Sequence, residues 1–81
     1  MQKQFILYGT SACHLCEDAE KLIDGAIQSH HIICSKKDIT EDDTLLEKYG
    51  LSIPVIRCSE TGDELNWPFN EQSLSAFINR Q

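Results

Sequence analysis

Leu7-Tyr8-Gly9-Thr10-Ser11-Ala12-Cys13-His14-Leu15-Cys16 is the stretch whose reading decides the fold. Phe5, Ile6, Leu7 and Tyr8 form a short unbroken apolar run, and Gly9, Thr10 and Ser11 close it, the pattern of a buried strand followed by a loop. From Leu15 the apolar positions are Leu15, Ala19, Leu22, Ile23, Ala26 and Ile27, with Glu17, Asp18, Glu20, Lys21 and Asp24 between them. That spacing predicts an amphipathic helix. Cys13 and Cys16 therefore sit where the loop after a strand becomes a helix.

That placement gives the pair a chemistry. Residues three apart on a helical turn are neighbours at ~5 to 6 Å, inside the ~4.4 to 6.8 Å Cα window of a disulfide. Cys13 faces the unpaired N–H groups and positive dipole end of the helix, which favour a thiolate, so it is the expected nucleophile. Cys16, one turn inside, has fewer such donors and is expected to be shielded; its role is to attack a mixed disulfide and release product. A zinc site is the first alternative, but zinc wants four ligands and only scattered Cys34, Cys58, His30 and His31 remain. Two inert thiols are the second. A Cys-x-x-Cys that follows a strand in a strand–helix–strand unit is, however, a thioredoxin-like redox signature.

Working outward, His31 to Asp38 carries Ile32, Ile33 and Cys34 and then turns polar, predicting a second strand that leaves the interior and ends near Lys36 or Lys37. Strand, helix and strand in such a short span imply a parallel pair joined by a right-handed crossover. Thr40 followed by Glu41, Asp42 and Asp43 predicts a helix cap and acidic first turn, with Leu45, Leu46 and Tyr49 as a brief apolar face and Gly50 as the stop. Ile53 to Cys58 is β-branched with Pro54 near its beginning, and Thr61-Gly62 marks a turn, so a hairpin from Val55 to about Leu65 is expected. Asn70 is placed to cap a last helix whose Leu74, Phe77 and Ile78 share one face. The order βαβ, α, ββα predicts an α/β fold, a four-stranded mixed sheet with flanking helices.

At 81 residues the chain is read as one domain, 1–81, whose core is thin because a chain this short buries only ~60% of its unfolded surface. A formal charge of -6 opposes the electrostatics of nucleic-acid binding, so nucleic acid is not an expected partner. No run approaches the ~20 apolar residues of a membrane span, and the first residues lack a signal-peptide apolar block, so a cytoplasmic location without membrane is expected. Four cysteines are too sparse for a secreted disulfide scaffold and point, in a reducing compartment, to redox chemistry or metal.

Leu7 to Cys16, together with Ser52-Ile53-Pro54-Val55-Ile56, resembles the redox loop and cis-proline loop of glutaredoxins and small thioredoxin-like proteins, most of all the bacterial glutaredoxin-like branch. The likeness covers essentially the whole chain. Only 12 residues precede Cys13, which is similar to glutaredoxins and too few for the extra strand and helix of thioredoxin proper. The resemblance implies a thioredoxin-like fold, a cis Pro54 beside Cys13, and an Ile53 backbone that offers hydrogen bonds to an extended substrate. It also implies that Trp67, after the final strand, lies near the site rim, as a tryptophan does in small thioredoxin-reductase-dependent glutaredoxins; its other reading is a core aromatic.

Glutathione-binding members of that family usually carry a lysine shortly before the first cysteine, a Thr-Val-Pro segment and a Gly-Gly-x-Asp turn. Here the residues are Thr10 and Ser11, then Ser52-Ile53-Pro54, then Leu65-Asn66-Trp67-Pro68-Phe69, so two of these anchors are missing. Lys3 is expected at the far end of the sheet, and Lys36 or Lys37 is the alternative source of positive charge. His14-Leu15 replaces the usual Pro-Tyr between the cysteines. A protonated His14 would favour the Cys13 thiolate, an exposed helix-end histidine would do nothing, and Glu17 and Asp18 oppose the thiolate. Cys34 and Cys58 fall on strands flanking the first, two spacings or ~9.6 Å apart and beyond disulfide reach, and are read as core or edge residues.

The function expected from these residues is thiol–disulfide exchange by Cys13 and Cys16, with no cofactor beyond their own disulfide and no resident metal. Protein or small-molecule disulfides are the expected substrates and glutathione is expected to be a poor partner; the sequence leaves the reductant open between glutathione and a thioredoxin-reductase-type system. The alternatives are an iron–sulfur cluster shared through Cys13 across a dimer, against which the missing glutathione anchors argue, and a binding module whose dithiol is vestigial.

Overall fold

A computed structural model describes residues 2–81. Strand β1 spans Gln4–Gly9, helix α1 His14–His30, β2 Ile33–Asp38, α2 Asp43–Tyr49, β3 Val55–Cys58, β4 Glu64–Asn66 and α3 Glu71–Asn79, with one 3₁₀ turn at Ile39–Glu41. The four strands form one sheet in the order β2-β1-β3-β4. β1 pairs with β2 in parallel and with β3 antiparallel, and β3 pairs antiparallel with β4. This is the mixed α/β arrangement of thioredoxin-like proteins that the sequence implies.

Alternation along β1 divides the core between the two sheet faces. Phe5 and Leu7 join Ala19 and Ile23 of α1, Ile56 of β3, and Leu74 and Phe77 of α3 in one buried cluster. Phe5 and Phe77 lie with ring centroids 5.9 Å apart. Tyr8 points the other way, into a smaller cluster with Ile39, Tyr49 and Val55. There the Tyr8 and Tyr49 rings stack at 4.4 Å. The 3₁₀ turn, the two-turn α2 and Ile53 of the following loop pack on this second face, where Ile6 is half-buried.

Several local expectations need correction. Leu15 is exposed, because the buried stripe of α1 begins at Cys16 and then runs through the expected Ala19, Ile23 and Ala26. Thr40 does not cap α2. Asp38 accepts the Thr40 N–H at 2.9 Å and starts the 3₁₀ turn, and Asp42 accepts the Thr44 N–H at 2.8 Å and starts α2. Two carboxylates each meet an orphan helix-end donor, which is why the segment breaks into two pieces. Leu46 and Ile33 are exposed as well, the former on the outer side of α2 and the latter on the edge strand β2. Asn70 caps α3 as expected, in a reciprocal box with Ser73, and Gly62 takes the positive φ of 79° that the β3–β4 turn demands.

Candidate active site

Register gathers three loops at one end of the sheet. β1 leaves it at Gly9, β3 enters with Val55 opposite Tyr8, and β4 leaves with Asn66 opposite Val55. The cysteine loop, the Ser52-Ile53-Pro54 segment and the residues from Trp67 onward therefore all begin or finish here. Lys3 is at the other end, where its Nζ donates to the Ile78 carbonyl at 3.1 Å, as the sequence reading expects.

Cys13 is the N-cap of α1, in extended conformation, and its Sγ accepts the backbone N–H of Cys16 at 3.2 Å. The Cys13 carbonyl accepts the Glu17 N–H at 3.2 Å, closing the first helical turn over the sulfur. Cys13 is half-buried and Cys16 buried, the order of access that the two proposed roles require. Burial, then the hydrogen bond with Cys13, pushes the Cys16 thiol up to about 11, while the Thr10 N–H pulls the other way. Gly9 makes room for this arrangement. A Cβ at Gly9 would lie 2.9 Å from Cys16 Sγ, so the glycine that marks the end of a strand in sequence is also a packing requirement of the dithiol.

The other candidate residues divide. His14 is 99% exposed at its side chain and sits 3.7 Å from Glu17, its nearest ionic neighbour. The Ile53–Pro54 peptide bond is cis, as the resemblance implies, and so is Trp67–Pro68. Pro54 is fully buried, and its carbonyl accepts the Trp67 N–H at 3.1 Å, which ties the proline loop to the segment after β4. The Trp67 indole is half-buried with its ring 5.0 Å from Phe69, edge-on, and packs against the main core. The Ile53 N–H, one of the donors the resemblance implies for a substrate, is given to the Tyr49 carbonyl at 3.2 Å.

Tyr49 is a residue the sequence reading took only as an apolar helix position. Its carbonyl takes the N–H groups of both Ser52 and Ile53, its ring stacks on Tyr8, and its hydroxyl donates to Glu64 Oε2, which Arg57 also contacts. It thereby ties the loop before Pro54 to β1 and β4. Nothing in the local sequence signals this, since Glu64 and Arg57 reach it only through the hairpin.

Cys34 and Cys58 both stand opposite Phe5, one on each neighbouring strand, as the topology predicts. Burial pushes the Cys34 thiol up to about 11. Burial acts the same way on Cys58, but hydrogen bonds from the Thr61 hydroxyl and the Thr61 and Glu60 backbone prevail and hold it below its usual value. Lys36 and Lys37, at the end of β2, border the pocket beside Cys16. Their amines lie 3.2 Å from Glu20 and 3.9 Å from Glu41 respectively. Among the described residues no three His, Cys, Asp or Glu side chains are grouped to hold a metal ion. Among them, too, no helix is long and apolar enough to cross a membrane.

A strand-loop-helix Cys-x-x-Cys with a cis-proline loop at the same sheet end defines a thioredoxin-fold protein of the redox-motif class. The family model described as Glutaredoxin-like domain matches residues 4–79, and the chain belongs to that family. No curated protein matches it. Among solved structures it is similar to target protein XcR50 from X. campestris, with 32% identity, 95% of this chain and 97% of that chain covered, and a TM-score of 0.81. Protein Ne2328 from Nitrosomonas europaea is 19% identical over 95% of this chain and 92% of that one, again with a TM-score of 0.81. A mutant thioredoxin from Halobacterium salinarum is 18% identical over 98% of this chain and 74% of that one, with a TM-score of 0.78. The last two show the shared fold.

Proposed function

We propose that the protein is a dithiol–disulfide oxidoreductase in which Cys13 attacks and Cys16 resolves. The observation that carries this reading is the unequal pair. Cys13 Sγ caps the helix and accepts an N–H, while Cys16, one turn deeper, is buried beneath it. A Cys13 thiolate attacks one sulfur of a substrate disulfide, forming a mixed disulfide and expelling the first substrate thiolate. Cys16 then attacks Cys13 Sγ, closing the Cys13–Cys16 disulfide and expelling the second. The substrate gains two electrons and the protein loses two. An external dithiol or reductase restores the starting state.

Protein or small-molecule disulfides are the substrates of this reading, engaged through the Ile53 backbone beside Pro54 with Trp67 at the rim. Glutathione is a weak partner in it and a thioredoxin-reductase-type system the reductant, in the cytoplasm. The support is the position of the lysines: Lys3 is at the opposite end of the sheet, and Lys36 and Lys37 already face carboxylates. An anionic tripeptide needs unpaired positive charge or free N–H donors near the nucleophile. The deciding experiment compares reduction of the oxidised protein by glutathione and by thioredoxin reductase with NADPH. Fast reduction by the reductase and slow reduction by glutathione is expected; the reverse order would overturn the reductant assignment, and no reduction by either would overturn the oxidoreductase reading.

A further inference from the structure

Resolution requires the Cys16 thiol to give up a proton, and its surroundings oppose this. Cys16 is 4% exposed, and burial followed by the Cys13 contact pushes its thiol up to about 11. With such a value only about one thiol in 10⁴ is ionised at neutral pH, so a resolving step that waited for spontaneous ionisation would be slow.

The sulfur borders a pocket of ≈ 180 Å³ whose charged lining is Glu20 from α1 and Lys36, Lys37 and Asp38 from β2. The Thr10 N–H and Cys13 face the sulfur from the loop side. Asp38 is a poor proton acceptor, because its Oδ1 takes the Thr40 hydroxyl at 2.7 Å and the Thr40 N–H at 2.9 Å, and these bonds hold its carboxyl below the usual carboxylate range. Lys37 is turned toward Glu41, 3.9 Å away. Glu20 stands one turn beyond Cys16 on the same helix face, the i, i+4 relation that makes side chains neighbours. Its Oε1 is 3.2 Å from Lys36 Nζ, so a residue on the parallel neighbouring strand holds it at the pocket wall. The pocket that Cys16 and Glu20 both line is ample for water, which needs only ~10 to 15 Å³ of such volume.

We propose that Glu20, oriented by Lys36, receives the Cys16 proton across this pocket during resolution, directly or through one water. The proposal rests on the oxidoreductase reading above. In the step, the Cys16 S–H bond breaks and its proton passes to the Glu20 carboxylate. The sulfur's electron pair forms the bond to Cys13 Sγ, the Cys13–substrate S–S bond breaks, and the substrate leaves as a thiolate. Glu20 then returns the proton to solvent or to the leaving thiolate.

Glu20 as acceptor and Glu20 as mere neighbouring charge predict opposite signs. After burial and Cys13, the Glu20 charge is itself among the causes that raise the Cys16 thiol. Removing that charge alone would ionise Cys16 more readily and speed resolution. Removing a proton acceptor slows it.

The experiment follows the reduced protein with the chromogenic disulfide dithiobis(nitrobenzoate) in a stopped-flow instrument. The first burst of coloured thiolate reports Cys13 attack and the second reports Cys16 resolution. In Glu20→Gln the first burst is expected unchanged and the second slowed by about 10- to 100-fold at neutral pH, with its logarithm rising one unit per pH unit. Glu20→Asp, which keeps a carboxylate, is expected to recover most of that loss. An unchanged or faster second burst in Glu20→Gln would overturn the proposal, as would a Glu20→Asp variant no better than Glu20→Gln, which would assign the effect to packing. Absence of the first burst in the unaltered protein is a separate result: it would remove the oxidoreductase reading, and this proposal with it.

Discussion

Two pairs of cysteines stand in this small domain, one at the start of helix α1 and one on the strands that flank β1. Cys13 and Cys16 lie on one helical turn, with an N–H of one directed at the sulfur of the other. Cys34 and Cys58 lie on opposite sides of Phe5, two strand spacings or ~9.6 Å apart. The spacing of the first pair is of the order a disulfide spans, and that of the second is beyond it. Burial drives Cys16 and Cys34 to the same value, about 11. An equally reluctant thiol therefore serves the site in one place and the packing in the other, and the difference is the partner sulfur beside it.

The comparison breaks most directly at its reactive half. Cys13→Ser is expected to abolish exchange with a disulfide reagent, Cys16→Ser to accumulate a mixed disulfide at Cys13 visible as added mass, and Cys34→Ser to do neither. A mixed disulfide that maps to Cys34 or Cys58 would dissolve the distinction. The structural half is tested by Phe5→Ala, which empties the position between Cys34 and Cys58. A loss of about 3 to 5 kcal/mol in urea unfolding is expected. The initial rate of Cys13 alkylation in the protein that remains folded should be unchanged.

The next effect is a pH dependence. The folded state raises the Cys16 thiol from an ordinary 9.0 to about 11, so between these values the unfolded chain has released the proton and the folded chain still holds it. Stability therefore falls as pH rises through this window, by at most about 1.4 kcal/mol per unit from this group. Cys16→Ala should remove that part of the slope; an identical slope in the variant would place the titration elsewhere. Gly9→Ala, whose new Cβ would stand 2.9 Å from Cys16 Sγ, is expected to cost about 1 to 3 kcal/mol by overpacking and to slow the second burst more than the first. The smallest effect belongs to His14→Ala. With its side chain 99% exposed and directed to Glu17, its removal should leave Cys13 alkylation at neutral pH within about twofold, since exposed ion pairs contribute little. A larger change would give His14 the thiolate-stabilising role that its position in the motif suggests.

Much of this site is legible in the chain. Phe5 to Tyr8, the Gly9 break and the Cys13–Cys16 spacing are local patterns, and the strand, loop and helix they predict are the ones observed. The parallel pairing of β1 with β2 follows from so short a strand–helix–strand span, and the flanking positions of Cys34 and Cys58 follow from the topology the element order predicts. Leu15 shows where periodicity loses resolution: it continues the apolar spacing of α1, yet its neighbour Cys16 is the residue that is buried. The paired caps at Asp38 and Asp42 show the same limit for helix starts, because Asp38, Thr40, Asp42 and Asp43 all qualify as caps by residue type and only the path of the backbone selects among them.

The sequence by itself determined the dithiol motif and the frame that holds it, because a cysteine pair at a helix start and the strand before it are set by contacts between near neighbours. Only the tertiary structure decided that Glu20 meets Lys36 and that Tyr49 takes the Ile53 N–H and reaches Glu64. Most of these contacts bring together groups from different elements, and the Tyr49–Ile53 bond depends on the path of the loop after α2. Whether such groups touch is fixed by strand register, crossover and packing, quantities to which every residue of the core contributes and which no local spacing records.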